Sequence, residues 1–179
     1  MSVMATRELT RADLDALPDD GLRHELIDGA FVMTPAPGLP HQTMAFAIAR
    51  TLHAATRGTG LKVVLAPFDV ILGTNVVEPD ILVAPSSAFS ERDLKTAPLL
   101  VVEVRSPSTA RIDEVRKRSL YEEAGVAHYW LADPAAPSVT VLHLVAGHYE
   151  QALIAHAGQT VALTAPFPIS FDVSGLLQD

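Results

Sequence analysis

Two acidic residues stand inside apolar, strand-like runs: Asp80 within residues 77–83 (Val-Glu-Pro-Asp-Ile-Leu-Val) and Glu103 within residues 99–106 (Leu-Leu-Val-Val-Glu-Val-Arg-Ser). A carboxylate buried in such a run costs several kcal/mol unless a cation, hydrogen-bond donors or a metal ion meets it. Side chains alternate along a strand, so Glu103 and Arg105 share a face with Val101, while Val102 and Val104 point the other way. Asp80 directly follows Pro79, whose missing N–H suits the start or edge of a strand. If the two strands are neighbours, Asp80 and Glu103 converge within reach of one divalent ion. Magnesium takes oxygen ligands and keeps several waters, so two carboxylates and a backbone carbonyl, for which Val104 is the candidate, suffice to hold it. A few residues later Asp113, Lys117 and Tyr121 recur at a spacing of four and form one helical stripe, which can bring Lys117 to the same place. A lysine there positions a nucleophile and offsets charge developing on a phosphate. The alternative for these residues is a structural ion-pair network, in which Arg105 and Lys117 neutralise the acids without metal.

The elements that must position this group are legible in outline. Thr10-Arg11-Ala12-Asp13 has the form of a capping box with Asp in place of Glu, opening a short helix before Pro18. Asp28-Gly29 separates two strands as a two-residue hairpin turn. Residues 35–40 form a proline-rich loop, and 41–57 a helix with Met44, Ile48, Leu52 and Ala55 on one face. Residues 61–66, 68–72 and 77–83 read as strands, and 85–98 as a polar loop with one helical turn. Residues 99–105, apolar on both faces, read as a central strand. Ser108 or Thr109 can cap a helix over 110–124 that ends at Gly125. Strands over 127–131, 139–144 and 148–154 follow, and the C-terminal third completes a mixed sheet. The fold class is therefore α/β (α+β): a mixed β-sheet flanked by helices, in one domain over residues 1–179.

Composition narrows the function. The chain has 179 residues, 49% hydrophobic and 19% charged, ample for a real core. No stretch approaches the roughly 20 apolar residues of a membrane span. The N-terminus lacks the basic and apolar regions of a secretory signal, and the absence of cysteine fits a reducing compartment, so a cytoplasmic protein without membrane partners is expected. A net charge of −8 argues against broad, non-specific coating of nucleic acid. It leaves room for the local basic cluster of Arg111, Arg116, Lys117 and Arg118 to line a cleft.

Several motifs occur together in a fixed order. They are Glu25-Leu26-Ile27-Asp28-Gly29, the proline-rich loop followed by His41, Glu78-Pro79-Asp80, residues 102–109, Asp113 with Lys117 and Tyr121, and residues 125–130 followed by Asp133-Pro134. The ordered set, spanning nearly the whole chain, resembles the Uma2 family of restriction endonucleases, a branch of the PD-(D/E)xK nuclease superfamily. The resemblance implies a restriction-endonuclease-like core that hydrolyses DNA phosphodiester bonds with Mg2+ or Mn2+ by in-line attack of water. Asp80 and Glu103 would be the metal-binding acids and Glu25 an additional acid near the site. The superfamily's lysine normally sits two residues after the second acid. That position here is Arg105, while the lysine of the resembled family, on the following helix, matches Lys117.

Arginine does not lose its proton near neutral pH, so Arg105 can clamp a phosphate but cannot act as a base. Lys117 is assigned to water positioning and charge stabilisation. His41, at a helix start, reads as a loop contact, with substrate binding as its functional alternative. The remaining histidines lack metal-ligand spacing. Two other functions compete with a DNA endonuclease acting as a homodimer: a catalytically silent dimeric interaction module of the same fold, and a phosphodiesterase acting on RNA or a small nucleotide.

Overall fold

Asp28 and Gly29 take positive φ angles of 52° and 69°. Such a turn matches the twist of its flanking strands, and strands β1 (Arg23–Ile27) and β2 (Ala30–Thr34) pair antiparallel around it. The computed structural model describes residues 7–18, 20–106 and 113–178. Ahead of the hairpin, helix α1 (Arg11–Asp15) starts as its capping box dictates, with the Thr10 N–H donating to Asp13 at 2.8 Å. Helix α2 spans Leu39–Ala55. It begins two residues before the expected start because Pro40 lies in the first turn, where a missing N–H costs nothing. It buries Met44, Ile48 and Leu52 on the face read from the sequence.

Strands β3 (Leu61–Leu65) and β4 (Asp69–Leu72) fall where expected. The run 77–83, expected as one strand, is two. Strand β5 (Asn75–Val77) ends before Glu78, and β6 (Ile81–Pro85) begins after Asp80. Pro79 cannot donate to a ladder, so the chain breaks there, and the two halves join different sheets. The loop 85–98 contains a 3-10 turn, Ser86–Ala88, and the short strand β7 (Asp93–Leu94). Strands β8 (Leu100–Val104), β9 (His128–Asp133), β10 (Ser138–Val145) and β11 (His148–His156) follow, then β12 (Thr160–Leu163), β13 (Ile169–Asp172) and a 3-10 turn at Val173–Leu177.

The smaller sheet has the order β2-β1-β5-β4-β7 and the larger the order β11-β10-β9-β8-β6-β3. Both are mixed, with parallel pairs β4–β7 and β8–β9. The hairpin β12–β13 forms its own two-stranded ladder instead of completing the large sheet, because β11 pairs only with β10 and ends that sheet. The parallel step from β8 to β9 requires a crossover. Its described part is a π-helical turn, Asp113–Lys117, leading into helix α3 (Arg118–Ala124), which Gly125 ends at φ 78°. The expected cap at Ser108 or Thr109, the helix start at 110–112, Arg111 and the Asp113 side chain lie outside the described residues.

The central strands of the large sheet are buried on both faces. Val102, Val104, Trp130 and Val141 pack with α2 and the C-terminal Ile169 and Val173. Val101, Tyr129 and Leu131 pack with Ile27, Val70 and Val77 of the small sheet and with Tyr121 of α3. Among the described residues no helix is long and apolar enough to cross a membrane.

Candidate functional site

The link Glu78-Pro79-Asp80 carries the chain from the small sheet, where Val77 pairs with Val70, to the large one, where Ile81 pairs with Leu65 and Val102. A buried backbone outside any ladder must find other hydrogen-bond partners. Two side chains of β1 supply them. The Glu78 N–H donates to Glu25 Oε1 at 2.7 Å, and the Glu78 carbonyl accepts from Arg23 Nη2. Arg23 and Glu25 are two residues apart on one strand and so share a face.

The β6–β8 register, continued by one residue beyond Ile81 and Val102, sets Asp80 opposite Glu103. Each acid is then held by a different set of groups. Asp80 Oδ2 accepts from the Val104 N–H at 2.8 Å and lies 3.1 Å from His41 Nε2, while its Oδ1 accepts from Arg23 Nη1 at 3.0 Å. Burial raises the cost of ionising Asp80, but the bond from His41, the Arg23 charge and the Val104 amide outweigh it and hold the carboxyl at about 2. Glu103 Oε1 accepts from Tyr121 Oη at 2.7 Å and from Lys117 Nζ at 3.1 Å. Lys117 also donates to Glu25 Oε1 at 2.9 Å. Burial, together with the charges of Glu103 and Glu25, pushes the Tyr121 hydroxyl well above its ordinary value, so it remains a donor.

Glu25, His41, Asp80, Glu103 and Lys117 make up five of the seven buried polar or charged residues among those described. The polar interior of the molecule is therefore largely this one cluster. Arg23 stands at its edge, bound to Asp80 and, through Nε at 3.2 Å, to Glu78. Burial opposes the Arg23 charge, but the fields of Asp80, Glu103 and Glu25 exceed it and raise its pKa. Burial likewise pushes the Glu78 carboxyl up, against the pull of Arg23. Beside Arg23, His41 and Asp80 a cavity of about 150 Å³ opens, lined also by Gln42, Ala66 and Pro67.

The structure thus brings together Asp80, Glu103, Lys117 and Glu25. His41 joins them through Asp80, beyond the loop contact read from the sequence. Val104 reaches Asp80 through its N–H. Arg105 shows a different engagement, its Nη1 lying 3.2 Å from Asp133 Oδ2, and the cation facing Asp80 is Arg23. Sequence reasoning missed Arg23, although the alternation Arg23, Glu25, Ile27 along a recognised strand carried the signal. It also left Tyr121 as a member of a stripe, without the bond to Glu103. Lys117, at the start of α3, and Tyr121, one turn along it, meet the same carboxylate.

Among the described residues, no three His, Asp or Glu side chains are grouped as they would be around a metal ion. The chemistry of the donors fits a hard divalent cation all the same. Among the described residues, Glu25, Glu78, Asp80 and Glu103 offer carboxylate oxygens against two cations that pair with them, Arg23 and Lys117, an excess of negative charge that such an ion offsets.

Matches to known proteins cover most of the chain. The family model for Uma2, described as "Putative restriction endonuclease", matches residues 11–174. The fold is shared with the crystal structure of a putative nuclease belonging to DUF820 from Anabaena variabilis ATCC 29413. The two align with a TM-score of 0.79 at 18% identity, over 94% of this chain and 97% of that one. No curated protein matches the chain.

Proposed function

We propose that this chain, which belongs to the Uma2 family of putative restriction endonucleases, is a metal-dependent endonuclease that hydrolyses DNA phosphodiester bonds. The observation that carries this function is the buried meeting of Asp80, Glu103, Glu25 and Lys117 at the link between the two sheets, beside an open cavity. Asp80 and Glu103 would hold Mg2+ or Mn2+, with Glu25 beside them and the Val104 carbonyl as a further oxygen ligand. Such an ion, when bound, supplies Lewis-acid activation of water and of the scissile phosphate.

The chain's own residues do the rest. Asp80, with its depressed pKa, stays ionised through the neutral range, and the Val104 N–H and His41 fix the direction of its oxygens. Orientation of a metal-binding carboxylate by such donors is worth about 10- to 100-fold in affinity or activity. Lys117 donates to two carboxylates and is thereby a carrier of positive charge, suited to orient the attacking water and offset charge on the phosphate. Tyr121 fixes the Glu103 oxygen that Lys117 shares. Concerted cleavage of both strands of a duplex would call for two such sites, which a homodimer would supply.

The experiment is a plasmid-nicking assay with purified protein, run with Mg2+ and with EDTA. Nicking that requires the metal and vanishes in Glu103→Ala is the expected result. Nicking that survives in that variant removes Glu103 from the site. Cleavage of RNA or small nucleotides with DNA left intact replaces the substrate, and no cleavage of any of them, with no magnesium heat in calorimetry, favours the silent interaction module.

A further inference from the structure

We propose that Arg23 is the internal cation that a divalent ion must displace from Asp80, so that this one side chain sets the metal affinity of the site. The inference rests on the metal-dependent function above and concerns how that function is held in check. Arg23 donates to Asp80 Oδ1 at 3.0 Å, to Glu78 Oε2 at 3.2 Å and to the Glu78 carbonyl. The fields of Glu103 and Glu25 also reach it. Its guanidinium therefore neutralises the Asp80 oxygen that a divalent ion bound there would need. Two cations that compete for one carboxylate oxygen are linked: whatever stabilises one there weakens the other by the same free energy.

The second cation of the cluster is unsuited to exchange. Lys117 has a side chain only 3% exposed and is pinned between Glu25 and Glu103. The Arg23 side chain is 19% exposed and borders the cavity it shares with His41 and Gln42. It therefore has a place to go when Asp80 is taken, and a planar fork of donors to offer a phosphate once there.

Mn2+ binding followed by electron paramagnetic resonance, with no DNA present, tests this on the full chain as wild type, Arg23→Lys, Arg23→Gln and Asp80→Asn. Affinity rising from wild type through Arg23→Lys to Arg23→Gln, by about tenfold overall (about 1.4 kcal/mol), is the expected result. Mn2+ should also raise the melting temperature of Arg23→Gln more than that of the wild type. Equal or weaker binding in both Arg23 variants, beside a wild type that binds and an Asp80→Asn that does not, overturns the role of Arg23 and leaves the metal site standing. Binding in none of the four proteins overturns the metal site itself. If Arg23→Gln does not fold, Arg23→Lys decides: tighter binding supports the displacement, equal or weaker binding refutes it.

Discussion

Asp80 and Glu103 stand opposite each other on neighbouring strands, yet their surroundings differ in kind. Glu103 lies on the central strand of the large sheet, with a tyrosine hydroxyl and a buried lysine on one oxygen. Asp80 lies at the mouth of a strand, next to a cavity, and is held by an arginine, an imidazole and a backbone amide. The first arrangement is closed, and its members have nowhere to move. The second borders a cavity, and its arginine is the more exposed of the two cations. On the proposed function, the same chemical group would serve as a closed, lysine-bound ligand in one place and as one whose cation can exchange in the other, and the difference comes from what packs around it.

The strongest way to break this contrast is Lys117→Met. It leaves Glu25 and Glu103 facing each other in the interior without their cation, which should cost about 3–5 kcal/mol of stability and, on the proposed function, abolish nicking. A urea titration that finds less than about 1 kcal/mol lost would show that the Glu103 side is not closed.

Asp80→Asn should be gentler and should carry a pH signature. The folded pKa of Asp80 is depressed, so its contribution to stability is fully present above the unfolded value and is lost as pH falls from about 4 towards about 2. The variant should therefore lose stability at neutral pH and show a flatter acid limb in melting temperature against pH. Identical acid limbs for wild type and variant would remove the special ionisation of Asp80.

Tyr121→Phe deletes one bond to a charged oxygen, at a cost of about 1.5–3 kcal/mol. On the proposed function its nicking should fall less than that of Lys117→Met, because Lys117 still holds Glu103. The smallest effect is expected for Arg105→Ala. Its partner Asp133 lies towards the surface, and such pairs contribute about 0–1 kcal/mol. Nicking should change by less than about threefold, a difference of about 0.7 kcal/mol in barrier. A loss approaching that of Lys117→Met would return the lysine's role to position 105.

The site was legible in the sequence wherever the signal was local. An acid inside a run of valines announces itself, because no apolar strand tolerates it without a partner, and the fixed period of a strand put Glu103 and Arg105 on one face. The hairpin at Asp28-Gly29 and the buried face of α2 follow from the same local rules, turn sterics in one case and helical period in the other. The strand break at Pro79 was half legible. Proline was read as a strand start, but the valines before it looked like the same strand, and only their pairing with β4 and β1 shows that they belong to another sheet.

The partners of the acids were not local. Arg23 lies 57 residues before Asp80; the alternation along β1 puts it on one face with Glu25 but does not say which acid that face meets, while Arg105, two residues from Glu103, binds Asp133. By itself the sequence determined that Asp80 and Glu103 would be buried, because hydrophobic patterning and strand period are properties of short segments, whereas the burial of Glu25 and Asp93 was not read from it. Which cation would meet each of them was decided only by tertiary structure, because that depends on two sheets meeting at Glu78-Pro79-Asp80 and on β1 lying against that link.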